Sequence, residues 1–264
     1  RIIRYELMEK NKTGKYLKYA IGEILLVVIG ILIALSINNW NENKKKKETV
    51  KVYLQNFVED LKDDKKNMEL IEGHNLLSYH SLQHLLKLSG EPQFKSYNDY
   101  YYNIPPLSNY NPWKGAFPEE FNKEFVQLTF EASQQSLSYD LNQSTINELK
   151  NTGFFSFLDN NGLKESINSY YEEWNWRLGE HSVRLTWQVI AKWEDALADG
   201  GITTSDSFET SNSLSILKDY PNRLAILKRL IREAGWIAEG AGIVRKNASD
   251  LIEVVQEEIN SYEK

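Results

Sequence analysis

From Ile24 to Trp40 the chain reads ILLVVIGILIALSINNW, without one charged side chain. Taken back to Tyr19, the segment makes a helix of about 33 Å at about 1.5 Å per residue, enough for a hydrocarbon core of about 30 Å. The apolar part is too long for a cleaved signal peptide. Lys44, Lys45, Lys46 and Lys47 follow it, where a small-residue cleavage site would stand. A core helix of a soluble protein is rarely flanked by basic clusters on both sides. The boundaries carry interfacial residues, Tyr16 and Tyr19 at one end and Asn38, Asn39 and Trp40 at the other. The sequence therefore predicts one transmembrane helix over residues 19–40, between a basic tail at 1–18 and a large domain at 41–264.

Charge does not orient the span by itself. Arg1, Arg4, Lys10, Lys12, Lys15 and Lys18 precede it, and Lys44, Lys45, Lys46, Lys47 and Lys51 follow. A short N-terminal tail usually stays in the cytoplasm, and long domains translocate largely regardless of charge. Both tendencies favour an N-in topology with a cytoplasmic tail and the main domain across the membrane. The chain opens on Arg1 and not on Met, so further upstream residues are expected. Residues 1–40 hold six basic and three acidic side chains; with a whole-chain charge of −6, the remainder carries −9. So acidic a domain argues against nucleic acid as a partner. The basic tail reads as an anchor to anionic lipid head groups, which makes membrane lipids the first expected partner. The absence of cysteine removes disulfides, thiolate metal sites and thiol nucleophiles.

The entry GKYLKYAIGE at 14–23 and the exit at 30–42, GILIAL and then INNWNE, resemble the start of an uncharacterised family of single-span, membrane-anchored proteins of Bacteroidota. A looser echo lies at 150–171. The resemblance implies an envelope protein of a Gram-negative cell; together with the N-in topology, the expectation is an inner-membrane anchor with the main domain in the periplasm. It brings no activity, no cofactor and no catalytic residue with it.

Past the lysines, Val50, Leu54, Phe57, Leu61, Met68, Ile71, Leu82 and Leu85 fall in one helical frame that also passes through Asp64, Asn75 and Ser78. No Pro or Gly separates Gly30 from Gly73, so this helix is a continuation of the membrane segment. It reads either as one member of an intramolecular bundle or as a stalk that pairs with its own copy. Residues 90–118 form a long loop rich in Pro and aromatics, a composition suited to recognition. Tyr100, Tyr101, Tyr102, Tyr110 and Trp113 are its candidate partner-binding residues, unless the loop buries its rings on the bundle. Residues 119–150 read as helical with a break near 133–140. One helix is expected from Leu163 to about Ala198 on the stripe Leu163, Ile167, Tyr170, Trp174, Leu178, His181, Leu185 and Val189. A polar loop spans 199–213, and a last helix begins near Pro221. Its glycines Gly235, Gly240 and Gly242 call for close contacts, expected against Trp187 and Trp193. No stretch alternates as a strand does. The expected fold is all-α, one transmembrane helix followed by a soluble bundle of four or five long helices.

Catalytic signatures are missing. There is no nucleophile elbow, no P-loop and no dinucleotide fingerprint, so neither an enzyme nor a cofactor is expected. His80 and His84, at i, i+4, share a helical face and are the candidate metal pair, without the H-E-x-x-H order. Trp174, Arg177, His181, Arg184 and Trp187 are a candidate pocket for an anionic or planar ligand, or else packing residues. Within the span, Glu23 is the odd residue, and Gly22, Gly30 and Ala34 are small. Together they are the candidate contact for a partner helix. The leading expectation is a membrane-anchored interaction or assembly protein, as an accessory subunit or a homo-oligomer. The alternatives are a periplasmic ligand-sensing module and a metal protein or enzyme built on His80 and His84.

Overall fold

The structure, a computed structural model, describes residues 13–94, 104, 106–107, 112–135, 137, 140–199 and 221–262. Tyr100, Tyr101, Tyr102 and Tyr110, most of the 199–213 loop and the first part of the basic tail lie outside these residues. Among the described residues the fold is all-α. It comprises α1 (Thr13–Leu88), α2 (Lys123–Gln134), α3 (Ser144–Asn151), a 3-10 turn (Phe154–Phe157), α4 (Asn161–Leu178), α5 (Glu180–Ala198) and α6 (Pro221–Ser261).

α1 is one helix of 76 residues, about 114 Å long at about 1.5 Å per residue. Its first half stands clear of the rest: side chains from Ile21 to Ile37 are exposed on every face. Its second half is the spine of the bundle. Every position of the frame from Val50 to Leu85 is buried, the polar ones included. Those three polar positions are satisfied in different ways. Asp64 accepts from Tyr170 Oη at 3.0 Å and from the Asn142 amide at 2.9 Å. Ser78 Oγ donates to the Ala132 carbonyl at 3.1 Å, and Asn75 Nδ2 donates to Ile71 O one turn back on its own helix. The helix therefore packs within its own chain along this face.

α6 runs antiparallel to α1 and the core forms in two storeys. The storey nearer the apolar half of α1 joins Val50 to Ile71 of α1 with α3, α4 and the stretch Ile237 to Val255 of α6. The distal storey joins Leu82, Leu85 and Leu86 with α2, α5 and Leu227 to Ile231. Asn122 caps α2 through Phe125 N at 2.9 Å, and Asn160 caps α4 through Leu163 N at 3.1 Å.

The single helix expected over 163–198 is instead two. Gly179 stands between them with φ −69° and ψ −179°, an extended backbone. A Cβ there would lie 2.3 Å from the Asn175 carbonyl oxygen, closer than atoms approach. The break resets the helical phase. α4 buries Leu163, Ile167, Tyr170, Trp174 and Leu178 as expected, but α5 buries Ser182, Thr186, Val189, Ile190, Trp193 and Leu197. His181 and Leu185, which the unbroken stripe would bury, are exposed. The glycines of α6 are also reassigned. They make room for Tyr79 (Gly235), for Leu178 and the Arg177 Cβ (Gly240) and for the Glu72 carboxylate (Gly242), and not for Trp187 or Trp193. Gly179→Ala is expected to lower stability by about 1–3 kcal/mol through overpacking. Gly22→Ala, with nothing within 4 Å of the added carbon, should change it little. Denaturant unfolding in detergent, followed by tryptophan fluorescence, checks both.

Candidate membrane-proximal site

The free half of α1 meets the definition of a span by length and composition. Gly22, Glu23, Gly30 and Ala34 all lie on it and are exposed. At about 100° per residue, Glu23, Gly30 and Ala34 fall within about 40° of one another, so they share a face, with Gly22 to one side. A carbon added at Gly22 or Gly30 meets nothing within 4 Å. This is a flat strip that a second helix could approach closely.

Where α1 enters the bundle, a cleft of about 740 Å³ opens between the helix, the 3-10 turn and the end of α6. Trp40, Asn43, Lys44, Lys47 and Lys51 line it from α1, and Phe157 and Tyr262 line it from the other side. Lys46, Glu48 and Asp159 complete the wall. Lys44 Nζ lies 5.9 Å from the Trp40 ring and Lys46 Nζ 4.7 Å from the Phe157 ring. Phe157 is 41% exposed, although it ends an aromatic FFSF turn whose other rings pack on the core. Burial, and then a hydrogen bond with Glu258, push the Tyr262 hydroxyl well above the ordinary tyrosine value, so it stays a neutral group there. Sequence reasoning found these lysines only as the flank of the span. Phe157 and Tyr262 reach the cleft from more than a hundred residues away, and only an exposed ring in an otherwise packed turn marks them.

The five residues expected to form a ligand pocket do not share one. Trp174 is buried in the α4 stripe. His181 and Arg184 are exposed on α5, bonded to each other at 3.2 Å, and Trp187 is 48% exposed. The phase change at Gly179 separates them from Trp174. Arg177 does sit in an aromatic cluster, but with different rings: its guanidinium lies 5.0 Å from Trp176 and 5.7 Å from Trp236. Its Nε donates to Glu173. Trp236 Nε1 donates to the Arg177 carbonyl and to Ser182 Oγ, both at 3.2 Å. The cluster ties both sides of the α4–α5 break to α6.

His80 and His84 line a second cleft of about 470 Å³ with Tyr79, Gln83 and Phe117. His84 Nε2 bonds the Pro118 carbonyl at 2.7 Å, and its ring packs edge-on against Phe117 and Phe125. Among the described residues no group of three or more His, Cys, Asp or Glu is placed to hold a metal ion. Trp113 packs edge-on against Phe125 at 5.1 Å and donates to Ala116 O. The described part of the aromatic loop thus lies on the distal storey.

A partly buried polar network anchors the 140s to α1. Asn142 Nδ2 donates to Asp60 at 2.7 Å, the Asn142 amide donates to Asp64, and Tyr171 Oη donates to the Asn142 carbonyl at 3.0 Å. Burial, and then the Asp64 and Asp60 carboxylates, raise the Tyr171 hydroxyl far above 10.0. In the unfolded chain the same tyrosine ionises near its ordinary value. The folded form is therefore fully favoured below about pH 10 and loses stability as the pH climbs beyond it. Stability measured between about pH 9 and 12 should fall steeply in the parent and more gently in Tyr171→Phe.

A family model described as a family of unknown function (DUF6090) matches residues 23–89. The match begins at Glu23 and closes one residue beyond α1, so the likeness is to the apolar half of α1 and its continuation into the bundle. Neither the curated proteins nor the solved structures give a match.

Proposed function

We propose that the protein is a membrane-anchored interaction protein, an accessory subunit of an envelope complex or a homo-oligomer, without chemistry of its own. In this reading α1 crosses the inner membrane of a Gram-negative cell with its N-terminus in the cytoplasm, and the bundle stands in the periplasm. One observation carries it. A single helix is uncharged, largely apolar and exposed on all sides over 24–37, and buried along one face from Val50 onwards. A surface that apolar is unstable in water, so its surroundings are lipid or other membrane helices.

The strip of Glu23, Gly30 and Ala34 supports a protein partner within the membrane. A carboxylate about one turn inside the span is costly alone and is relieved by a basic or hydrogen-bonding group from another helix. Small residues seven and eleven positions later let such a helix come close.

Native mass in a mild detergent, with identification of whatever co-migrates, tests the reading. A multiple of the chain or a discrete hetero-complex is expected. Gly30→Leu combined with Ala34→Leu should shift at least half of the assembly to free chain. A bare monomer across a range of mild detergents would overturn the interaction function.

A further inference from the structure

The cleft at the foot of the bundle has a chemistry that the interaction reading leaves unused. Trp40 closes the apolar run, and an indole at that point sits at the boundary between hydrocarbon and head groups. The head-group layer beyond it is about 5–8 Å deep. Counting about 1.5 Å per residue, the Lys44 backbone stands about 6 Å beyond Trp40, within the head-group layer, and that of Lys47 about 10 Å, just outside it, from where a long lysine side chain reaches back to the lipid phosphates. The two lysines lie three residues apart, which puts them on one face of α1. The same face carries Asn43 and Lys51, and Tyr262 offers a neutral hydroxyl opposite. Glu48 and Asp159 also line the cleft, leaving four lysines against two carboxylates.

The aromatic residues give the cleft a second property. Phe157 projects from the 3-10 turn, 41% exposed, at the same end of the bundle as Trp40. Exposed rings on two separate elements, both bordering one lysine-lined cleft next to the hydrocarbon boundary, suit a molecule that is anionic at one end and apolar at the other. A soluble anion would use the lysines and leave the rings idle.

We infer that this cleft binds the phosphate and adjoining glycerol of an anionic phospholipid, with Lys44 and Lys47 on the phosphate and Trp40 and Phe157 against the upper acyl chain. The site rests on the membrane reading of α1. It goes beyond that reading by giving the bundle its own lipid contact, on the opposite side of the membrane from the basic tail.

Full-length protein in a neutral detergent is titrated with phosphatidylglycerol, with phosphatidylcholine and with inorganic phosphate, and lipid adducts are counted by native mass spectrometry. Phosphatidylglycerol should bind at least tenfold more tightly than phosphatidylcholine. Lys44→Gln with Lys47→Gln should weaken that binding by about thirtyfold, given the attraction of each lysine near a head group. Phe157→Ala should weaken both lipids by several-fold. Lys15→Gln with Lys18→Gln, at the other end of the span, should alter the preference by less than twofold. Equal retention of the two lipids overturns the site, as does an equal loss in the Lys15 and Lys18 variant. Saturation by millimolar inorganic phosphate, with displacement of the lipid, would reassign the cleft to a soluble anion and overturn the lipid. Insertion into neutral phosphatidylcholine vesicles, read by resistance to alkaline extraction, is measured in parallel. Failure there overturns the membrane reading itself, whereas insertion without lipid preference overturns only the cleft.

Discussion

The organisation of the molecule depends on the continuity of α1. One run of backbone hydrogen bonds passes from a segment apolar on every side to a segment apolar on one face. In the first segment the helix needs no protein partner, because all its backbone groups are satisfied internally and its side chains suit hydrocarbon. In the second, α6 lies antiparallel along the same helix over both storeys of the core. α2 and α3 dock directly on this spine, and α4 and α5 dock on the pair it makes with α6. Because no glycine or proline interrupts the junction from 31 to 72, the bundle has no hinge at its foot.

Apolar burial holds the helices together, but polar groups set their register. Arg245 Nε bonds Glu72 at 2.7 Å between α6 and α1, and Gly242 leaves space for that carboxylate. The partnership with Glu72 is also the main reason the guanidinium holds its proton more tightly than usual. Asp64 answers Tyr170 of α4 and the Asn142 amide, and Ser78 answers the last turn of α2. Each of these groups lies where a slip by one residue would leave a buried polar atom without its partner, a penalty of about 1–3 kcal/mol. Leucine at the same positions would stick as well and specify less.

Much of this was legible in the sequence, and the illegible parts share a cause. The apolar half of α1 follows from the length of an uncharged run, and the 50–85 frame and the long last helix follow from periodicity, and all of these are local signals. The polar positions Asp64 and Ser78 stood out in an apolar frame because their partners, Tyr170 and Asn142 for the first and Ala132 for the second, lie elsewhere in the chain, while Asn75 bonds Ile71 on its own helix. The break at Gly179 was missed for a related reason. A lone glycine in a helical pattern is usually tolerated, and only the Asn175 carbonyl, visible in three dimensions, shows why this one turns the chain. That miss displaced His181, Arg184 and Trp187 from the core and dissolved the pocket they were expected to form. Arg177 kept an aromatic setting, with Trp176 and the distant Trp236 in place of the nearer candidates. The cleft at the foot of the bundle is assembled from three parts of the chain, and only its lysines and Trp40 stood out in the sequence, as the flank of the apolar run.

On the proposed membrane reading, α1 is a stiff rod planted in a fluid sheet and behaves as a lever. From Trp40 to Leu88 the arm is about 72 Å, while the fulcrum is a bilayer whose thickness sets how far a span leans. A change in lean of about 10° carries the far end of the arm sideways by about 12 Å. Local thinning of the membrane, or a neighbour pressing on the Gly30 strip, would thus be magnified at the distal storey into a displacement wider than a helix. A hinged anchor would absorb that motion at its base; this one delivers it to whatever stands beside the top.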